Sequence, residues 1–156
     1  MVAEQAKAEF IRNKERLTKA IKVTPEDKLH WSPSPTARTP VQLVAHCAYG
    51  TAGIGAMIKG EPMHFSSTAE LDSHLREMET AVTTVEQALE LLESTSEAYL
   101  AYLDTVTDDQ AAEIVQLPFG SLPLGVAIMM PGNHMSSHIA QLDYLQTIWG
   151  DHDWRF

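Results

Sequence analysis

The chain has 156 residues, of which 44% are hydrophobic and 21% charged, and its 21 acidic and 11 basic residues give a formal net charge of −10. This length and composition are typical of one globular domain, expected to span residues 1–156, and they exclude a disordered chain. The acidic balance, with no stripe of Lys and Arg, argues against nucleic acid or an anionic membrane as a partner. Cys47 is the single cysteine, so no internal disulfide can form, and we expect a soluble protein in the reducing cytoplasm.

The first predicted helix is amphipathic. Its apolar residues, from Ala6 to Ile21, fall near one face, and charged residues occupy the other. We expect this helix to end before Pro25, since the residue preceding a proline disfavours helical geometry. The linker that follows contains Pro33 and Pro35 and therefore cannot be one continuous helix.

The second predicted helix has a clear start. Thr39 can cap it, Pro40 suits its first position, and Gln42 can complete a capping box with Thr39. We expect this helix to run to residues 57–58. A glycine inside a helix costs about 1 kcal/mol relative to alanine, so glycines here should provide either close packing or room for a ligand. The glycines in question are Gly50, Gly53 and Gly55.

Two helical segments are predicted in the middle of the chain. Ser67 or Thr68 can cap a short helical piece at residues 70–76. A long helix is predicted from Val82 to Leu103, because its apolar residues are spaced alternately three and four positions apart. Such a stripe is typical of a helix inside a bundle.

The C-terminal third is predicted to hold one more long helix. Residues 113–119 alternate loosely and should be extended or irregular. The helix is expected to begin near Leu122 or Leu124 and to run to about Trp149, with Pro131 marking a kink or a late start. Its apolar beginning is too short to span a bilayer. Together the elements predict an all-α fold, an antiparallel four-helix bundle with one long crossover.

His134 and His138 lie four residues apart in this last helix, so both imidazoles should project from one face. That face continues through Leu142, Leu145 and Ile148, which predicts that it packs inward. Two inward-facing histidines need polar partners, and a shared metal ion satisfies both at once.

A metal site needs a third ligand, and His46 is the best candidate, because it lies in the second helix among small apolar residues with glycines on its own face. Facing helices of a bundle commonly supply such ligands. Three imidazoles would suit Zn²⁺, Ni²⁺, Fe²⁺ or Cu²⁺ and would leave coordination positions open, as in catalytic sites. The alternative is that each histidine only donates a hydrogen bond to a backbone carbonyl.

Other possible sites are less favoured. Met135 stands where the zinc-protease motif HExxH requires glutamate, and Cys47 points away from His46 and is expected to be a small core residue. The remaining histidines are expected to be solvated; they are His30, His64, His74 and His152.

Three features resemble the DinB-like (DinB/YfiT-like) superfamily of metal-dependent bundles. The segment Trp31-Ser32-Pro33 precedes the helix that carries His46, and His134-x3-His138-x2-Gln141 is similar to the family's HxxxHxxQ signature. The order of elements agrees over nearly the whole chain. The resemblance implies a four-helix bundle that binds a divalent metal, most readily Zn, Ni or Fe, through His46, His134 and His138.

The resemblance also implies a homodimer and a small-molecule reaction. The aromatic tail, residues 149–156, can pack on a partner subunit or back onto its own bundle. The family includes thiol-dependent transferases and isomerases, which use mycothiol, bacillithiol or glutathione. The metal would act as a Lewis acid that deprotonates the thiol, and the thiolate would attack an epoxide, a halide or an activated alkene. Gln42 or Gln141 would orient a metal ligand or the substrate.

Three alternatives remain open at this point. A metal-activated water would make the protein a hydrolase. A stress-associated bundle without catalytic function would hold a structural metal or none. A binding module with a small apolar ligand in its pocket would keep its affinity in the presence of chelators.

Overall fold

The computed structural model describes residues 1–154, so residues 155 and 156 of the predicted aromatic tail lie outside the described residues. Within this part of the chain there are seven helices: α1 (Val2–Lys22), α2 (Pro40–Ile58), α3 (Thr68–Ala81), α4 (Val85–Leu103), α5 (Asp108–Ala111), α6 (Leu124–Ala127) and α7 (Met130–Ile148). They are accompanied by a 3-10 turn (Glu26–Lys28) and an antiparallel hairpin of β1 (Ile114–Leu117) and β2 (Gly120–Pro123).

Four long helices, α1, α2, α4 and α7, enclose the core and confirm the predicted all-α four-helix bundle. α1 packs against α4 and α7, and α2 packs against the same two helices, so α1 and α2 lie on a diagonal of the bundle. Among the described helices, α2 alone is long and apolar enough to cross a membrane by length and composition. However, 56% of that stretch is buried inside the bundle, as expected of a core helix.

The helix starts follow the predicted capping residues. The Thr39 hydroxyl accepts the Gln42 N–H, and Gln42 Oε1 accepts the Thr39 N–H at 3.0 Å, which completes the capping box of α2. The Ser67 hydroxyl caps α3 by accepting the Glu70 N–H at 3.2 Å, without a reciprocal bond to the Ser67 N–H. The predicted limits of the next two segments are wrong: α3 continues to Ala81, and α4 begins only after Thr84, whose side chain forms a second capping box.

Between α4 and α7 the chain forms a hairpin that the sequence did not predict. Leu117 pairs with Gly120, so Pro118 and Phe119 form the turn. This turn lacks the Asn-Gly or Asp-Gly pair that usually marks a two-residue hairpin. Pro131 marks a late start rather than a kink, because α7 begins at Met130 with the proline in its first turn.

α7 places the histidines beside the core rather than in its centre. Its fully buried side chains include Met135, Ile139 and Leu142, whereas His134 and His138 are half-buried along one edge of that face. The prediction that Ile148 also lies on the buried face of α7 is wrong, because its side chain is 48% exposed. This offset directs both imidazoles toward the groove between α7 and α2 instead of into the bundle interior.

Candidate metal centre

Three histidines converge in the groove between α2 and α7. His46, His134 and His138 each offer a ring nitrogen, and the three nitrogens lie within 4.8 Å of one another. The Nε2 atoms of His134 and His138 are 3.1 Å apart. The His46 ring centroid lies 5.0 Å from that of His134 and 4.5 Å from that of His138. These are the three side chains that the sequence analysis selected, and the fold brings all of them together.

Gly50 makes this close approach of the helices possible. A Cβ atom at Gly50 would lie 2.4 Å from Cε1 and 2.8 Å from Nδ1 of His134, distances that no real side chain tolerates. At Gly53 a Cβ would meet nothing within 4 Å, and at Gly55 only Tyr99 at 3.6 Å. Of the two roles expected for the glycines, Gly50 provides close packing and Gly53 borders open space.

His46 is held by a buried carboxylate. Its Nδ1 lies 2.6 Å from Oε1 of Glu79, whose side chain is only 1% exposed. Arg38 donates to both oxygens of the same carboxylate, from Nε at 2.7 Å and from Nη2 at 3.1 Å. Burial alone would raise the pKa of Glu79, but the hydrogen bonds from His46 and Arg38 outweigh it and lower the pKa. Glu79 therefore stays ionised and keeps Nε2 of His46 as the nitrogen available to a metal.

The sequence alone does not identify this carboxylate. Residues 70–76 were predicted as a short helical piece, and Glu79 lies beyond it in the last turn of α3. A partial signal was present, because Arg38 immediately precedes the cap of the helix that carries His46. A lone arginine does not identify its partner, which is 41 positions away.

His138 is oriented by Gln141. Oε1 of Gln141 lies 2.8 Å from Nδ1 of His138, and an amide oxygen can only accept, so Nδ1 carries the proton. The lone pair of Nε2 then faces His134. Gln42, the other candidate for such a role, instead completes the capping box at the start of α2. Of the two glutamines, the structure brings only Gln141 to a histidine.

His134 has no comparable support. Its Nδ1 is buried and has no hydrogen-bond partner among the described residues. Burial, reinforced by His138, His46 and Arg38, lowers the pKa of His134 from an ordinary 6.5 to about 3. Burial also lowers the pKa of His138. Both imidazoles are thus neutral at physiological pH, the state in which histidine binds metals.

The triad fits a divalent metal ion. Two nitrogens bound to Zn²⁺ at about 2.0–2.1 Å in a tetrahedral arrangement lie about 3.3 Å apart. The 3.1 Å between the Nε2 atoms of His134 and His138 is close to this spacing. With the Nε2 atoms this close, an ion between them would be bound by two lone pairs that otherwise face each other across a half-buried groove. Three imidazoles suit Zn²⁺, Ni²⁺, Fe²⁺ or Cu²⁺ and leave coordination positions open.

Two cavities lie near the triad, although His46, His134 and His138 line neither of them. One, of about 520 Å³ (the arginine cavity), is lined by Arg38, Arg76 and Gln141. The other, of about 590 Å³ (the aromatic cavity), lies between α2, α3 and α4 and begins at Tyr49 and Gly53. Cys47, next to His46, faces neither cavity; it is fully buried, and burial raises the pKa of its thiol, as expected of a core residue.

The chain resembles known proteins in sequence and in fold. The sequence model of the DinB superfamily matches residues 9–142. Among curated proteins, none matches the chain in sequence. YfiT from Bacillus subtilis, described as a probable metal-dependent hydrolase with an unusual four-helix bundle topology, has a TM-score of 0.72 and 21% identity, over 95% of this chain and 87% of that one.

Two further solved structures share the fold. A conserved protein from Enterococcus faecalis has a TM-score of 0.72 and 13% identity, over 96% of this chain and 98% of that one. A mycothiol-dependent maleylpyruvate isomerase has a TM-score of 0.69 and 16% identity, over 90% of this chain but only 60% of the isomerase. At such identities these likenesses establish the fold and leave the reaction to be argued from the site.

Proposed function

Because this chain belongs to the DinB superfamily, we propose that His46, His134 and His138 bind one divalent metal ion and that the protein is a metal-dependent thiol S-transferase or isomerase. Its co-substrate would be a low-molecular-weight thiol. The observation that carries the proposal is the convergence of three ring nitrogens within 4.8 Å in the groove between α2 and α7. A structural metal site is usually closed by a fourth protein ligand, whereas three ligands leave room for a reacting molecule.

The protein's own residues have distinct tasks in this proposal. Nδ1 of His46 donates a hydrogen bond to Glu79, and Nδ1 of His138 donates one to Gln141, so that Nε2 of each ring is presented to the ion. The ion would supply Lewis acidity, which favours the deprotonated form of a thiol at neutral pH. The half-buried groove would limit access of water to the reacting sulfur.

Thiol transfer is favoured over hydrolysis by the state of Glu79. Hydrolysis by an activated water usually needs a nearby general base. Glu79 is the carboxylate in contact with the triad, and both of its oxygens are already occupied by His46 and Arg38. Thiol transfer needs no such base, because an ionised sulfur is itself a strong nucleophile. The proteins of similar fold do not decide between thiol transfer and hydrolysis, since one is described as a mycothiol-dependent isomerase and another as a probable metal-dependent hydrolase.

The function is tested by a thiol-consumption assay on the zinc-, nickel- and iron-loaded protein. Mycothiol, bacillithiol and glutathione are each paired with an epoxide, an aryl halide and an activated alkene, and the uncatalysed rate is subtracted. We expect one thiol to give catalysis that is lost with a chelator and in His138→Ala, but kept in His30→Ala, an exposed histidine outside the triad. Ester or amide hydrolysis with the same dependence, and no thiol transfer, would support the hydrolase instead.

The assembly and location of the protein are also proposals. We propose a homodimer, and two exposed apolar side chains on the outer face of α7, Tyr144 and Ile148, support it. Light scattering of the purified protein measures the mass directly and would contradict a dimer if it gave 17.3 kDa, the mass of one chain.

A cytoplasmic location is supported by the single, buried cysteine.

A further inference from the structure

The aromatic cavity has an unusual lining. Three of the chain's four tyrosines, Tyr49, Tyr99 and Tyr102, line it, together with Phe65 and His74. Phe65 and His74 lie against each other with ring centroids 5.2 Å apart. The volume of about 590 Å³ falls inside the range of roughly 300–1,000 Å³ that small-molecule sites occupy. Aromatic walls around a space of this size favour a flat apolar ligand.

The cavity is close to the three histidines. Gly53 lies on the same face of α2 as His46 and Gly50, because positions seven and three residues apart align along a helix. Gly50 contacts the His134 ring, and Gly53 lies about 4.5 Å further along the helix, three residues at 1.5 Å each. Gly53 lines the cavity, and a Cβ atom there would meet nothing within 4 Å, so no side chain at this position stands between the cavity and the triad. A ligand whose body lies in the cavity would reach the triad by extending one end past Gly53.

The charge in the cavity is balanced. Lys59 and Glu61, the basic and acidic residues of the lining, pair with each other at 2.7 Å. Burial raises the pKa of Tyr102, so its hydroxyl stays protonated and can donate a hydrogen bond. The Tyr99 hydroxyl already donates to the Ile128 carbonyl. The lining thus suits an uncharged ligand that carries a hydrogen-bond acceptor.

We propose that the aromatic cavity binds the uncharged aromatic body of the electrophilic substrate, with its reactive carbon toward the histidine triad. The assignment of a substrate rests on the proposed function, whereas binding in the cavity does not. With an aryl chloride, the thiol sulfur forms a bond to the ring carbon and the carbon–chlorine bond breaks. Chloride leaves with its electron pair, and the thiol proton passes to solvent.

Binding is tested on the full chain in EDTA with N-phenyl-1-naphthylamine, an uncharged, unreactive fluorophore that brightens in apolar sites. We expect saturable binding of one probe per chain, displaced by 1-chloro-2,4-dinitrobenzene. Gly53→Leu should weaken it at least about tenfold, because the leucine side chain occupies the ligand's space. Gly53→Ala adds a single methyl group at the same position and serves as the matched control, with a much smaller effect.

A second cavity-filling variant keeps the proposal testable if Gly53→Leu does not fold. Ala98→Phe fills the cavity from α4, where the residue is exposed and in a helix, and circular dichroism establishes that each variant keeps its fold. The proposal is overturned if the wild type shows no saturable binding, if the aryl chloride does not displace the probe, or if both folded filling variants bind as the wild type does. Because the probe is unreactive and the protein metal-free, failure of metal binding or thiol transfer is a separate result.

Discussion

Nδ1 of His46 lies 2.6 Å from Oε1 of Glu79, although 33 residues separate the two in the chain. Glu79 also accepts two hydrogen bonds from Arg38. Arg38 is in the linker before α2 and Glu79 is in the last turn of α3, so this network ties three segments to one histidine. A carboxylate behind a metal-binding imidazole fixes the ring orientation and increases its basicity. The metal affinity proposed for the triad therefore depends on α3 being folded, because α3 supplies the carboxylate that holds His46.

Replacing Glu79 by glutamine should weaken zinc binding about 10–100-fold, the usual effect of losing such a carboxylate. It should also destabilise the protein by about 1–3 kcal/mol, because Arg38 loses charged hydrogen bonds. Competition with a fluorescent zinc chelator measures the first effect and urea denaturation the second. Glu77→Gln, at an exposed site on the same helix, is the matched control. Equal zinc affinity in Glu79→Gln and the wild type would refute the anchoring role.

Gly50→Ala and Gly53→Ala are expected to have opposite effects. Alanine favours a helix over glycine by about 1 kcal/mol, so Gly53→Ala, where the methyl group meets nothing, should stabilise the protein by up to that amount. At Gly50 the methyl group would lie 2.4 Å from the His134 ring. Overpacking of this kind typically costs about 1–3 kcal/mol, and the displaced ring should also lose metal affinity. Urea midpoints and zinc titrations of both variants check this pair, and a Gly50→Ala protein that binds zinc normally would contradict it.

Gln141→Leu should weaken metal binding with little change in stability. The amide oxygen that holds the proton on Nδ1 of His138 is lost, but Gln141 is exposed and packs little. We expect about a tenfold lower zinc affinity, at the lower end of what such supporting residues contribute. Gln5→Leu, at an exposed position on α1, controls for the added apolar surface. An effect on the urea midpoint without one on zinc affinity would mean that Gln141 has only a structural role.

The metal-free protein should become less stable as the pH falls below 6.5. The pKa of His134 is lowered by burial from an ordinary 6.5 to about 3, so in this window the unfolded chain binds a proton that the folded chain does not. Protonation therefore favours the unfolded state, and stability is lost progressively between pH 6.5 and 3. Urea midpoints in EDTA should fall less steeply with pH in His134→Ala than in the wild type. Parallel curves for the two proteins would contradict this account.

The sequence predicted the parts of the structure that depend on local chemistry. The capping residues Thr39 and Ser67 mark helix starts that are observed, and the four-residue spacing of His134 and His138 places both rings on one edge of α7. Such features depend on residues a few positions apart, so periodicity and side-chain type are sufficient to find them.

Features that depend on distant pairing could not be predicted. In the sequence, Glu79 cannot be distinguished from the other charged residues of a polar helix. The fold shows that it is buried between Arg38 and His46. The hairpin around Pro118 and Phe119 lacks a strong turn signal and gains support by packing beside the bundle. Ile148 is the last residue of α7, and the apolar pattern does not show where along the helix the cover of the other helices ends.

The central claim is that His46, His134 and His138 together bind one divalent metal ion. Mass-spectrometric metal analysis tests it most directly, on wild-type protein and the triple alanine variant, both purified without a nickel column and both shown to be folded. We predict close to one metal ion per wild-type chain, as isolated or after addition of Zn²⁺, Ni²⁺ or Fe²⁺, and none in the variant. A folded wild type that takes up none of these ions, or a variant that retains the metal, would contradict the claim.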